Sequence, residues 1–226
     1  ISIKTILTQP TLSTFDGFMG SGVISRMLKY HSHLLIGNDL EKYSYIINKC
    51  YLSEPSEEKI KNINRFIDEL NNLSYDKEGI ICKEYSPKDT NNIQKGERAF
   101  YTKENALIID TIRDKINNYD KEYFHFLIAP LLVKSSIHTN TSGVFKGFHK
   151  KDDIGHFGGK YEANTDSRII KKIILEKPFF YKNNCRVYIF QNDINKLIDK
   201  LPEVDIAYLD PPYNQHPYGS NYFMLN

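Results

Sequence analysis

The sequence predicts an α/β protein: an open, mainly parallel sheet interrupted by a long, mostly helical insertion. Three observations predict it. Short apolar runs alternate with stretches of helical period at both ends of the chain, the pattern of strands joined by crossover helices. The middle, residues 53–184, loses that rhythm and reads as successive helices followed by a Gly-, Lys- and His-rich stretch. Finally, the predicted strand ends each carry an acid or a glycine turn, at the edge where open α/β sheets bind ligands.

Thr11–Phe15 is β-prone and leads into the glycine-rich turn Gly17–Gly22. Val23–Tyr30 then places Val23, Ile24, Met27 and Leu28 at helical spacing. His33–Gly37 is a buried-type strand ending at Asn38–Asp39, and Tyr43–Leu52 is an amphipathic helix. Residues 1–52 thus form the first part of the sheet domain. In the insertion, Ser53 is the expected N-cap of a helix over Glu54–Asn71, with Pro55 in its first turn. Thr102–Asn118 is a helix with Ile108, Ile109, Ile112 and Ile116 on one stripe, and Asp110 and Arg113 stand at pairing distance along it. Glu122–Val133 is a more apolar helix, expected to break or end near Pro130. Residues 135–165 show little periodicity. Alternation returns over 185–226, with strand Arg186–Phe190 ending at Asn192–Asp193, helix Asp193–Leu201, and strand Asp205–Leu209 ending at Asp210.

Composition narrows the function classes. With 40% hydrophobic and 26% charged residues, the 226-residue chain has the make-up of an ordinary globular protein. No apolar run approaches the roughly 20 residues of a membrane span. The three cysteines, Cys50, Cys82 and Cys185, form no C-x-x-C pair, which argues against a disulfide framework or a zinc site and points to a reducing cytoplasm. No metal is implied. The formal net charge of +2 is too small to indicate nucleic acid, so any such face depends on local clustering. The chain begins at Ile1 and stops soon after its most informative segment, so further material is expected on both sides.

Two motifs carry chemistry. In Asp16–Gly22 (DGFMGSG), glycines let backbone approach a ligand without Cβ interference. An acid at the next strand end, Asp39, suits a ribose diol, because a carboxylate accepts from both hydroxyls. The second motif, Asp210-Pro211-Pro212-Tyr213, directly follows a strand. Its prolines remove two backbone donors and fix φ twice, leaving the carbonyls of Asp210 and Pro211 free to face a guest. A carboxylate and a carbonyl together accept both protons of an exocyclic amine and turn its lone pair toward an electrophile. Tyr213 offers a ring face to a nucleobase, a contact worth about 1–3 kcal/mol.

These motifs, in this order, resemble those of the Dam-like, D12-class N6-adenine DNA methyltransferases. DGFMGSG is similar to the family's D-x-F-x-G-x-G motif, DPPY to its catalytic signature, and NQHPYGSNYFMLN, FYTKENALIIDTIR and NTSGVFKGFHK to segments of a restriction–modification subgroup. The resemblance implies a Rossmann-like fold and S-adenosyl-L-methionine as cofactor. It further implies that Asp16, Phe18, Gly20, Ser21 and Gly22 line the cofactor pocket, that Asp39 holds the ribose, and that Asp193 accepts the cofactor's adenine amine. Asp210, Pro211, Pro212 and Tyr213 are the implied catalytic residues. The substrate it implies is double-stranded DNA with a short adenine-bearing site, and a cognate restriction endonuclease is an implied partner. The family's aromatic–Gly–(Ser/Asn)–Lys segment and the strands after its catalytic motif lie outside this sequence.

An adenine amine is hidden in a duplex, so base flipping is expected, with the insertion gripping the DNA. Candidate DNA-binding residues are Asn140, Thr141, Ser142, Lys146, His149, Lys150 and Lys151, where aromatic residues interleave with cations. Lys160, Arg168, Lys171 and Lys172 follow as further candidates, although for Arg168–Lys172 a solvated helix face is the plainer reading. His156–Gly159 is a candidate recognition loop. Three alternatives stay open: methylation of cytosine N4, methylation of adenine in RNA, and a catalytically dead DNA-binding subunit. The aspartate that opens DPPY favours adenine in DNA by resemblance.

Overall fold

A computed structural model describes residues 12–158, 168–212 and 222–226. Tyr213, Gly159 and Lys160 lie outside the described residues. The chain divides into two compact units: Ile1–Glu57 with Pro178–Gln215 and Asn226, and Glu58–Lys177 with His216–Leu225.

In the first unit, β1 (Leu12–Asp16) is followed by α1 (Val23–His31), β2 (Ser32–Asp39) and α2 (Lys42–Tyr51). The chain returns to this unit after the insertion. The insertion holds α3 (Glu57–Asn71), α4 (Ile80–Tyr85), α5 (Lys103–Ile116), α6 (Phe124–Ile137) and the two-residue strands β3 (Lys150–Lys151) and β4 (Ile154–Gly155). Strand β5 (Arg186–Gln191), helix α7 (Ile194–Leu197) and strand β6 (Ile206–Tyr208) complete the first unit. The sheet order is β5-β2-β1-β6 with every pairing parallel. It is a Rossmann-like α/β sheet.

One sheet face packs Leu35, Val187, Ile189, Ile206 and Tyr208 against Ile24, Met27 and Leu28 of α1, the residues whose helical spacing the sequence displays. On the other face Phe15 and Ile36 are buried, whereas Tyr188 is 53% and Leu209 55% exposed. The expected helix Asp193–Leu201 divides into α7 and a 3-10 turn, Ile198–Lys200.

Lys29, on the buried side of α1, ties the two halves of this unit together. Its Nζ donates to the Leu52 carbonyl at 3.1 Å and the Tyr181 carbonyl at 2.8 Å, and pairs with Glu54 at 3.0 Å. Asn183 donates to the Lys29 carbonyl, and its own N–H reaches Glu54. This network explains why the expected cap at Ser53 does not form. Glu54 precedes Pro55 and is held in the Lys29 network, and pre-proline residues disfavour helical backbone. Ser53 Oγ instead donates back to the Cys50 carbonyl at 2.6 Å, and α3 starts only at Glu57.

In the second unit, α5 begins where the sequence places it: Thr102 Oγ1 accepts from the Asn105 N–H. Asp110 differs from expectation. It turns inward, 5% exposed, and accepts from the N–H groups of Ile81 and Cys82 at 3.2 and 2.7 Å. It therefore caps α4, a helix too short to show in the periodicity, and does not serve as the partner of Arg113. Helix α6 runs straight through Pro130. A proline inside a helix costs about 3 kcal/mol, but Phe126, Leu127 and Leu131 around it are buried, and packing outweighs the local penalty.

Two asparagines hold the last stretch of this unit. Asn105, fully buried, donates to the Lys171 carbonyl at 3.1 Å and accepts from the Ile173 N–H at 2.9 Å. Asn71 donates to the Leu175 carbonyl and accepts from its N–H, at 3.0 and 2.8 Å. Helical structure ends at Ile170, and residues 172–177 carry no regular element. The expected exposed helix face thus covers Arg168–Ile170, and from Lys171 the chain continues as an irregular strap fixed by side-chain amides.

Replacing Asp110 by alanine strands two buried N–H groups and is expected to cost about 1–3 kcal/mol in urea unfolding. Arg113→Ala, on an exposed side chain, is expected to stay within about 0.5 kcal/mol; equal effects would restore the helix-surface pair.

Candidate functional site

Because the strands are parallel, their carboxyl ends leave the sheet on one edge. Asp16 ends β1 opposite Gly37 and Tyr208. Asp39 ends β2 opposite Gln191. Asp193 caps α7 just past β5, accepting from the Asn195 N–H at 3.0 Å, and Asp210 lies two residues past β6.

The glycine turn is fastened to this edge at each step. Gly17 N–H donates to the Tyr208 carbonyl at 3.0 Å and Met19 N–H to the Asn38 carbonyl at 3.0 Å. Gly20 N–H donates to Asp39 Oδ2 at 2.7 Å. Asn48 Nδ2 donates to the Gly20 carbonyl at 3.2 Å, and Arg26 to the Ser21 carbonyl at 3.1 Å. Asp39 Oδ1 accepts from Glu41 N–H at 2.9 Å, so this carboxylate binds the turn to the start of α2.

Two positions in the turn need glycine for different reasons. Gly22 has φ of 78°, and a Cβ there would lie 2.1 Å from Asn48 Oδ1. Gly20 has φ of 53°, but no described residue stands within 4 Å of where its Cβ would be. The backbone of Gly20 is thus open to a guest, while Gly22 is closed against α2. Gly22 also supplies no side-chain cap to α1, whose first turn carries no acid. That helix start favours an electron-rich ligand group.

Charge gathers at the same edge. Burial pushes the Asp16 carboxyl above its ordinary pKa; hydrogen bonds from Ser25 and Phe18 oppose the shift, and the charges of Asp39 and Asp210 add to it. Ser25 Oγ is 2.6 Å from Asp16 Oδ2. The Tyr208 phenol is likewise pushed up, first by desolvation, then by Asp210 and Asp16, and it donates to Asp210. Asp16, Asp39 and Asp210 are therefore electrostatic neighbours. Phe18 is half-buried and Ser21 exposed; Asp210, Pro211 and Pro212 are exposed.

The residues proposed from the sequence to meet nucleic acid fall within the second unit in two groups. Ser142, Lys146, Lys150 and Lys151 are exposed, and His149 is half-buried. Lys150 and Lys151 form β3, joined to β4 by a two-residue turn in which Asp152 and Asp153 have φ of 51° and 65°. Positive φ at both central positions marks a tight hairpin turn. Asn140 and Thr141 are buried instead. Asn140 Nδ2 donates to the Ala99 and His156 carbonyls, each at 2.9 Å, so this side chain fixes the hairpin's base. In the candidate recognition loop, Phe157 packs with Ala99 and Ile169.

The family model of the D12 class N6 adenine-specific DNA methyltransferases matches residues 3–226. The chain belongs to this family. This D12-class chain is 30% identical over 217 residues to the type II methyltransferase M.NlaIII of Neisseria lactamica, covering 93% of the chain and 58% of that relative. It is 32% identical over 227 residues to the type II methyltransferase M.CviAII of Paramecium bursaria Chlorella virus 1, covering 97% and 61%. Type II methyltransferase M.FokI of Planomicrobium okeanokoites is 29% identical over 223 residues, with 31% of its length covered. The chain thus spans about six tenths of the first two relatives. No solved structure gives a significant match. Family membership implies a methyl donor at the D12-class site.

Sequence reasoning missed Asn38, Asn48, Ser25 and Tyr208. Asn38, 1% exposed, donates to the Gly17 and Asn192 carbonyls and accepts from the Asn192 N–H. It stitches the ends of β1, β2 and β5. The only signal was its place next to Asp39. Asn48 and Ser25 are polar residues on the buried sides of α2 and α1, which a search for apolar period passes over.

Gly22→Ala is expected to destabilise by about 1–3 kcal/mol through its φ and the Asn48 clash. In a double-mutant cycle with Asn48→Ala the two losses should be less than additive, since removing Asn48 removes the clash. Strict additivity in thermal or urea unfolding would reject this packing.

Proposed function

We propose that this chain is the catalytic part of an N6-adenine DNA methyltransferase of a restriction–modification system, using S-adenosyl-L-methionine. The observation that carries the reading is the meeting of Gly20, Asp39 and Asp210 at one sheet edge, with Gly20 hydrogen-bonded to Asp39 and the charges of Asp39 and Asp210 both acting on Asp16. The residues fit the cofactor: an open backbone at Gly20, an uncapped helix start at Gly22, and a carboxylate at Asp39 with lone pairs for a diol. Phe18, Ser21 and Asp16 complete this wall, and Asp193 would accept an adenine amine at the end of β5. The cofactor supplies an electrophilic methyl on a sulfonium.

On the protein side, Asp210 accepts a hydrogen bond from one N–H of the target amine and the Pro211 carbonyl accepts one from the other; the single proton released on transfer leaves from the nitrogen. Pro212 keeps the turn rigid, and Tyr208, by donating to Asp210, fixes the carboxylate's orientation. Tyr213 would stack on the everted base. Holding the amine in line with the donor supplies the orientation and electrostatic terms on which such a transfer depends. Duplex DNA would be met by Ser142, Lys146, His149, Lys150 and Lys151, with Asn140 and Thr141 shaping their loop from within. The names of the relatives support a cognate endonuclease as functional partner.

Asp210→Ala is expected to lower transfer of a tritiated methyl group from S-adenosylmethionine to duplex DNA by about 10²–10³-fold or more. Calorimetric cofactor affinity should stay nearly unchanged. Near-normal turnover by this variant would overturn the roles assigned here.

A further inference from the structure

The second unit carries a basic groove that neither family motif uses. It is about 520 Å³ in volume and is lined by Lys134, His138, Arg168, Lys171 and Lys172, with Glu176 the one carboxylate among its described residues. We infer that this groove is a second DNA-contact site, which takes backbone phosphates of the duplex. The inference rests on the reading of duplex DNA as substrate and adds a surface to it.

The first support is construction. Arg168, Lys171 and Lys172 are exposed, while Ile169, Ile173 and Leu175 between and beyond them are buried. The Asn105 and Asn71 clamps hold the backbone on both sides of Lys172. The cations are therefore mounted on a strap whose backbone is fixed, which lowers the ordering cost of gripping a ligand.

The second is charge. Lys134 is bonded to Glu176, which leaves Arg168, Lys171 and Lys172 with no other carboxylate among the described residues of the groove. His138 reports how closely these groups converge. Its pKa is lowered, first by burial and then by the charges of Lys134, Lys171 and Arg168, against a hydrogen bond to the Arg168 carbonyl. Nδ1 lies 2.6 Å from that carbonyl oxygen. The ring therefore braces the strap and leaves the binding charge to its neighbours.

The third is shape. Arg168, Lys171 and Lys172 stand exposed along an open groove whose other wall is the end of α6, an arrangement suited to successive phosphates. Ile137 and Ile174, 37% and 54% exposed, line the same groove and would lie against deoxyribose.

The test compares three proteins: wild type, Arg168→Gln/Lys171→Gln, and a charge-matched control, Lys83→Gln/Lys121→Gln. Affinity for a duplex carrying the target adenine is followed by fluorescence anisotropy across a salt series. The groove variant is expected to bind about tenfold more weakly than the control, with a slope of log affinity against log salt flatter by about two. Its cofactor affinity and its transfer rate at saturating duplex should match the control. If groove variant and control show the same affinity and slope while wild type methylates DNA, the groove inference falls and the methyltransferase reading stands. A groove that binds inorganic phosphate, with duplex affinity unmoved in the variant, also overturns it. If wild type neither binds nor methylates the duplex, the underlying reading fails.

Discussion

The structure depends on one short hydrogen bond, from the Gly20 N–H to Asp39. It joins a turn that leaves β1 to the end of β2, and so holds the glycine backbone over the sheet edge. Around it, Asn38, Asn48 and Arg26 anchor the flanking carbonyls. A loop with φ of 53° and 78° at two positions would otherwise sample many shapes. Fixing it from four side chains converts flexible residues into a preformed wall.

A chain that interrupts its own sheet by more than a hundred residues must still bring β5 back beside β2. Loop-closure entropy grows only slowly with length, so a modest set of contacts suffices. Lys29, Glu54 and Asn183 supply them at the point where the chain leaves and re-enters the first unit. A buried ammonium is costly unless paired and hydrogen-bonded, and here it has one carboxylate and two carbonyls.

Much of the sheet unit was legible because its physics is local and periodic. Short β-prone or apolar runs alternating with helical periods marked β1, β2, β5 and β6, and glycine followed by an acid marked the turn and its edge. What stayed hidden was polar and buried. Lys29 reads as a surface lysine, Asp110 as half of a helix-surface pair, and Asn38, Asn48, Asn71 and Asn105 as nothing in particular. Each acts on backbone far away in the chain, and a single sequence does not show which backbone. Ser53 and Pro130 were misjudged for the opposite reason. Local rules were applied where the Lys29 network and the packing of α6 decide. In the site, the acids and glycines were readable, whereas the groups that orient them, Tyr208 and Ser25, were not.

The asparagine clamps on residues 169–175 have a consequence for solubility. An amide side chain presents an N–H donor and a C=O acceptor side by side, as a peptide unit does, so Asn71 pairs with Leu175 much as a neighbouring strand would. Yet the mimicry stops after a single rung and offers nothing to extend. A segment without regular structure can thus lie on a helical body with part of its backbone satisfied and present no ladder for another molecule to join, which is the hazard of an open strand edge. Positive charge at Lys171 and Lys172 adds repulsion between copies at the same place.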